Sequence, residues 1–188
     1  LRYYSLTSLK QLFKKYSIEI IHAKRINTHG GSIRVYAAKK GKFKITKNVK
    51  KILNFEKKFL NWNTFKNFKK NVVNSKINLY SILKKIKKRN KKIYGIGAPS
   101  RASTLINYVG LDESIIDCVL EIKGSYKIGH YIPGTKIPIL EEKKLFFNQP
   151  EYIILFSWHI KEELKKNLKN KGYKGKFIIP LPNPRIEN

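Results

Sequence analysis

The apolar positions change period several times along the chain, and each change predicts an element. Over residues 5–16, Leu6, Leu9, Leu12, Phe13 and Tyr16 recur at three-and-four spacing, which predicts an amphipathic helix with Ser5 as its N-cap. Residues 17–26 alternate around Ile18 and Ile20, residues 27–31 read as a turn with two glycines, and residues 32–38 alternate again through Ile33, Val35 and Ala37. A helix and one hairpin cannot bury their own faces. The segment therefore reads as the closing end of a domain that begins upstream.

Between residues 39 and 92 the rhythm is helical, through Val49, Ile52, Leu53, Phe59 and Leu60 and then Phe65, Phe68, Val72, Leu79, Leu83 and Ile86. Two amphipathic helices are expected, bridging the hairpin to a strand at Ile93 and packing on its sheet. Residues 93–96 read as that buried strand, 97–103 as a turn of small residues, and the chain from Thr104 as an apolar helix. Gly95 and Gly97 leave room for another molecule near the backbone, and the first free N–H groups of a following helix attract a phosphate. The same Gly-x-Gly spacing also fits a bare tight turn.

Further strands are predicted at 115–121, 152–156 and 177–179, with a polar loop at 123–134 and a helix at 160–171. Strands alternating with helices predict an α/β fold, a Rossmann-like parallel sheet with flanking helices, and ligands of such sheets sit at the strands' carboxyl ends. Those ends are residues 97–101, 121–127, 157–159 and 180–182. Glu121 lies 24 positions after Gly97, the spacing of a ribose-reading carboxylate, and chance gives the same spacing as readily.

Charge adds a competing picture. The net charge is +29, and residues 39–92 carry 20 of the 41 basic residues against one acid, Glu56. A basic protein gains affinity for nucleic acid by neutralising phosphates. The excess is 35 lysines against six arginines, however, and specific recognition leans on the bidentate guanidinium. A solvated outer face is the favoured reading of the lysines, with no specific nucleic-acid partner. No apolar run approaches the roughly 18 residues of a membrane span, and no signal-peptide pattern opens the chain, so a cytoplasmic protein without a membrane partner is expected. Cys118 is alone, so no disulfide framework and no cysteine-rich metal site is expected, and it reads as a core residue. With no methionine and Leu1 in first place, the chain reads as the tail of something longer.

Six motifs then form an ordered set: YYSLTSL at 3–9, THGGSIRVY at 28–36, GAPSR at 97–101 followed by TLINY at 104–108, YKIG at 126–129, PGTKIPI at 133–139 and PLPNP at 180–184. Together they resemble the sugar C-methyltransferases, which act on nucleotide-linked deoxysugars. The resemblance implies that residues 1–40 end an S-adenosylmethionine-dependent catalytic domain, that 41–92 are a basic helical connector, and that 93–188 are a C-terminal Rossmann-like domain. It also implies that the methyl-donor loop, a zinc-binding domain and a Glu-His acid/base pair lie upstream of Leu1, so that this piece alone is inactive. Tyr3, Tyr4 and His29 are then the residues nearest the chemistry. His29 either supplies a hydrogen bond or proton, since imidazole titrates near neutrality, or pins its own turn.

The chain departs from the family at Arg101 for a usual lysine, Ala102 for a glycine, Ser103 for an asparagine and Glu121 for an aspartate. Arg101 keeps the charge and can grip a diphosphate through two oxygens. Gly97, Ser100, Arg101, Ser103, Thr104 and Glu121 are the substrate-binding residues expected for a nucleoside-diphosphate sugar, with Tyr126 and Lys127 bordering a base or sugar. A nucleotide-binding module without catalysis and a polyanion binder stand as the alternatives.

Overall fold

A computed structural model describes residues 3–28 and 31–188, in two compact units that divide between Lys69 and Lys70. In the first unit, helix α1 (Leu6–Lys14) starts at the predicted cap: the Ser5 Oγ accepts the Ser8 N–H at 3.1 Å, and the Ser8 Oγ accepts the Ser5 N–H at 3.0 Å. The two bonds satisfy donors that a helix start leaves unpaired. Strands β1 (Ile18–Ile26) and β2 (Ser32–Lys39) form the predicted antiparallel hairpin, with a bulge between Ile20 and His22. The apolar face of helix α2 (Lys47–Phe59) closes over it, so that Leu6, Ile20, Ala23 and Val49 make a small core.

Glu56 of α2 holds the start of α1. Its Oε1 accepts the Leu6 N–H at 2.7 Å, and its Oε2 accepts the Thr7 N–H at 2.8 Å and the Thr7 hydroxyl at 2.6 Å. A carboxylate is favoured there because the N-terminus of a helix is its positive end. The one acid of the lysine-rich stretch is thus a structural residue.

Helix α3 (Trp62–Lys87) begins in the first unit and ends in the second. The second unit is built on strands β3 (Ile93–Ile96), β4 (Cys118–Glu121), β5 (Ile139–Glu141), β6 (Tyr152–Leu155), β7 (Lys176–Ile179) and β8 (Arg185–Glu187). Their spatial order is β5-β4-β3-β6-β7-β8, parallel except for β8. This is the strand order of a dinucleotide-binding fold, with its reversal point between β3 and β6. Helices α4 (Ser100–Val109), α5 (Lys144–Phe147) and α6 (Lys161–Asn170) follow their strands.

Both faces of the sheet are buried, which explains its uninterrupted apolar strands. On one face Ile93, Ile154 and Phe156 pack with Leu79, Leu83 and Ile86 of α3 and with Ala102, Leu105 and Ile106 of α4. On the other, Tyr94, Ile96, Ile153 and Leu155 pack with Leu145 of α5 and Leu168 of α6.

Four local expectations are corrected. Helix α2 packs on the hairpin of its own unit, and within the second unit the end of α3 packs on the sheet of Ile93. Helix α4 starts at Ser100 rather than Thr104, because Pro99 supplies an extended N-cap and Ala102 belongs to the buried face. Strand β4 starts at Cys118 rather than Ile115. The carboxylate of Asp117, just before it, accepts the Ile93 N–H at 2.8 Å and pairs with Lys87 at 3.2 Å. Strands β5 and β8, each three residues long, are additions that carry too few alternating positions to register as a period. Among the described residues no helix is long and apolar enough to cross a membrane.

Candidate functional site

The reversal point of the sheet places the ends of β3 and β6 side by side. Gly97 follows β3 with φ +79°, a left-handed conformation that favours glycine, and its N–H donates to the Leu120 carbonyl at 2.8 Å. A Cβ at Gly97 would lie 3.3 Å from the Ser157 Oγ, beyond the end of β6. Gly97 therefore allows the two strand ends to approach.

Gly95 has a different use from the one expected of it. A Cβ there would fall 2.5 Å from the Phe156 Cε2 and 2.9 Å from the Val119 Cγ2. The space beside Gly95 is filled by the protein's own core, not left for a ligand.

The loop after Gly97 is held from two sides. The Glu121 Oε1 accepts the Ala98 N–H at 2.6 Å, and the Lys127 Nζ donates to the Ala98 carbonyl at 2.8 Å. Lys127 lies 3.9 Å from the same carboxylate oxygen, so the two side chains also neutralise each other. Both expected substrate-binding residues are engaged in shaping the loop. Tyr126 beside them is exposed, with the Lys127 ammonium 5.8 Å from its ring centroid.

Ser100, Arg101 and Ser103 occupy the first turns of α4 rather than a loop, together with Thr104, which was expected in the helix. Ser100 and Thr104 are exposed, and Arg101 and Ser103 are half-buried. The Arg101 guanidinium lies 5.7 Å from the Trp158 ring centroid, a cation–π contact that orients the arginine at the rim. Ser157 and Trp158 thus join the site, and the one sequence signal for them is their position directly after a buried strand. The structure brings Gly97, Ser100, Arg101, Ser103, Thr104, Glu121 and Lys127 to one end of the sheet.

Tyr3 and Tyr4 lie in the first unit and are exposed. His29 lies outside the described residues. Cys118 is buried and its thiol is pushed up to about 12, chiefly by burial, which Lys144 opposes and Asp117 reinforces to a lesser degree. It is a core residue, without nucleophilic character at neutral pH.

Among the described residues no group of three or more His, Cys, Asp or Glu side chains could hold a metal ion. The space at Gly95 is filled by Phe156, and one oxygen of the carboxylate that would read a ribose, the Glu121 Oε1, accepts the Ala98 N–H.

A Rossmann-order sheet with this rim is the framework on which the sequence comparison falls. Residues 27–182 match the family described as the C-methyltransferase C-terminal domain, and the chain belongs to that family. It is similar to the C-methyltransferase NovU of Streptomyces niveus, 27% identical over 191 residues that take in 98% of this chain and 44% of NovU. The chain spans less than half the length of that relative.

Proposed function

We propose that the chain is the C-terminal part of an S-adenosylmethionine-dependent C-methyltransferase whose substrate is a nucleotide-linked keto-deoxysugar. What supports the reading is family membership together with the position of Gly97 and Arg101 at the reversal point of the sheet, where ligands of this fold bind. The arginine offers a fork for a diphosphate. The methyl donor, and any zinc, belong to upstream residues in this reading, and the piece alone is inactive. The enzyme works in the cytoplasm.

Methylation at carbon requires that a carbon beside a keto group lose a proton, so a base and a hydrogen-bond donor for the enolate oxygen are needed. Tyr3, Tyr4 and His29 are the residues of this chain assigned nearest that step. Their role is to donate hydrogen bonds or move a proton around the keto sugar.

Calorimetric titration of the chain with a nucleoside-diphosphate sugar tests the binding role of the rim. Arg101→Ala is expected to weaken binding about tenfold, the loss of one charge-assisted fork. Unchanged affinity removes Arg101 and its loop from the site.

A further inference from the structure

Within the first unit, the end of α2 and the start of α3 are exposed at every residue from Lys57 to Lys69. Five large apolar side chains fall in this stretch. Phe59 and Leu60 are 45% and 47% exposed, Phe65 is 50%, Phe68 is 66% and Trp62 is 72%. An apolar series of that size left in water marks an interaction surface.

The turn between the two helices fixes how the series is presented. The Asn61 Oδ1 accepts the Thr64 N–H at 3.0 Å, and the Asn61 Nδ2 donates to the Lys58 carbonyl at 2.9 Å. On the α2 side Phe59 stacks on Phe55, with 4.3 Å between ring centroids. At about 3.6 residues per turn, Trp62, Phe65 and Phe68 cover about 120° of the α3 surface, and Lys66 and Lys69 fall within about 40° of Trp62. Asn63 and Asn67 fall on the opposite side. The result is an aromatic ridge bordered by ammonium groups.

Charge decides what covers it. Lys57, Lys58, Lys66 and Lys69 have no carboxylate partner among the described residues, and no acid occurs in the sequence between Glu56 and Asp112. A second copy laid on the ridge would bring the same cations face to face. Single-stranded nucleic acid is bound in a basic groove that follows its backbone, whereas a helix exposed on all sides is convex. A helix with Trp and Phe on one face and lysines beside them instead lies flat in the headgroup layer of an anionic membrane.

We infer that the ridge from Phe59 to Phe68 docks on an anionic lipid surface, with Trp62, Phe65 and Phe68 entering the headgroup layer and Lys66 and Lys69 on lipid phosphates. The expectation of no membrane partner rested on the lack of a span, and interfacial binding requires none. The inference is independent of the proposed function.

The test is co-sedimentation of the chain, at physiological ionic strength, with vesicles of equal parts phosphatidylglycerol and phosphatidylcholine, beside vesicles of phosphatidylcholine alone. Binding to the mixed vesicles, with a blue shift of tryptophan emission that Trp62→Ala abolishes, is expected. Trp62→Ala and Phe65→Ala should each weaken it at least about tenfold. Phe147→Ala, which removes an exposed ring of the second unit, should leave it unchanged. Vesicle binding that survives Trp62→Ala and Phe65→Ala overturns the ridge, since the general excess of lysine then accounts for it. Equal binding to phosphatidylcholine alone overturns the part given to charge. A single-stranded oligonucleotide or a second copy held in a Trp62-dependent way, without vesicle binding, assigns the ridge to that occupant and overturns the lipid. Loss of vesicle binding when the chain is carried behind a methyltransferase domain overturns it too, because the ridge is then covered by that domain.

Discussion

The carboxylate of Glu121 accepts the backbone N–H of Ala98 at 2.6 Å and thereby ties the end of β4 to the loop that leaves β3. The bond acts where the sheet reverses, and Lys127 secures the other side of the same peptide segment. Two charged residues expected at a ligand, Glu121 from its spacing and Lys127 from the family resemblance, thus also shape the loop that would receive it.

Removing the acceptor should loosen the loop. Glu121→Ala is expected to destabilise the chain by about 1–3 kcal/mol, since a half-buried N–H loses its partner. Glu121→Gln keeps a carbonyl oxygen at nearly the same place and should cost less. Urea denaturation of the three proteins, compared at equal slope, measures both.

Gly95 makes a steric prediction. Gly95→Ala puts a methyl 2.5 Å from the Phe156 Cε2 in a sheet buried on both faces, and overpacking of that kind costs about 1–3 kcal/mol. A thermal midpoint equal to the parent's would mean that Phe156 does not lie where it is described.

Cys118 should be silent towards thiol reagents. Burial keeps its proton on to about pH 12, so the reactive thiolate is scarce at pH 8. The folded chain is expected to leave it unmodified by a colorimetric disulfide reagent, with one equivalent reacting once denaturant is added. Reaction of the folded chain at the rate of a free thiol would contradict the burial of β4.

Acid should release β8 from α6. Lys161 first, then Lys165 and Arg185, hold the Glu187 carboxyl down to about 2. A carboxyl held below its unfolded value of roughly 4.3 contributes stability that is full above that value and lost as pH falls towards the folded one. The difference in unfolding free energy between parent and Glu187→Gln should therefore be largest near neutrality and close between about pH 5 and about pH 2. A difference independent of pH would show that Glu187 acts through packing rather than charge.

The sequence carried the long elements because their periods are long enough to count. The three-and-four spacing of Leu6, Leu9 and Phe13 and the alternation of Ile33 and Val35 both return as contacts of one small core. The turn after β3 was legible through Gly97, since a glycine directly after a buried apolar run marks the strand's end. Gly95 misled for a physical reason: a glycine that makes room for a ligand and one that makes room for Phe156 look alike until the neighbouring strand is in place. Ser100 and Ser103 read as loop because small polar residues favour turns, whereas burial of Ala102 between them draws the segment into α4. The contact of Arg25 with the Phe55 ring, 4.9 Å from guanidinium to centroid, had no local signal, because the two stand 30 positions apart and meet only when α2 folds over β1.

Methyl transfer by a protein that carries this chain behind a methyltransferase domain, as the proposed function has it, tests the central claim most directly. The protein is incubated with S-adenosylmethionine and a nucleoside-diphosphate keto-deoxysugar, and the product is located by mass spectrometry and carbon NMR. One methyl group on a ring carbon beside the keto group is the predicted result. A methyl on oxygen or nitrogen, or no transfer to any nucleotide-linked keto sugar, would contradict it.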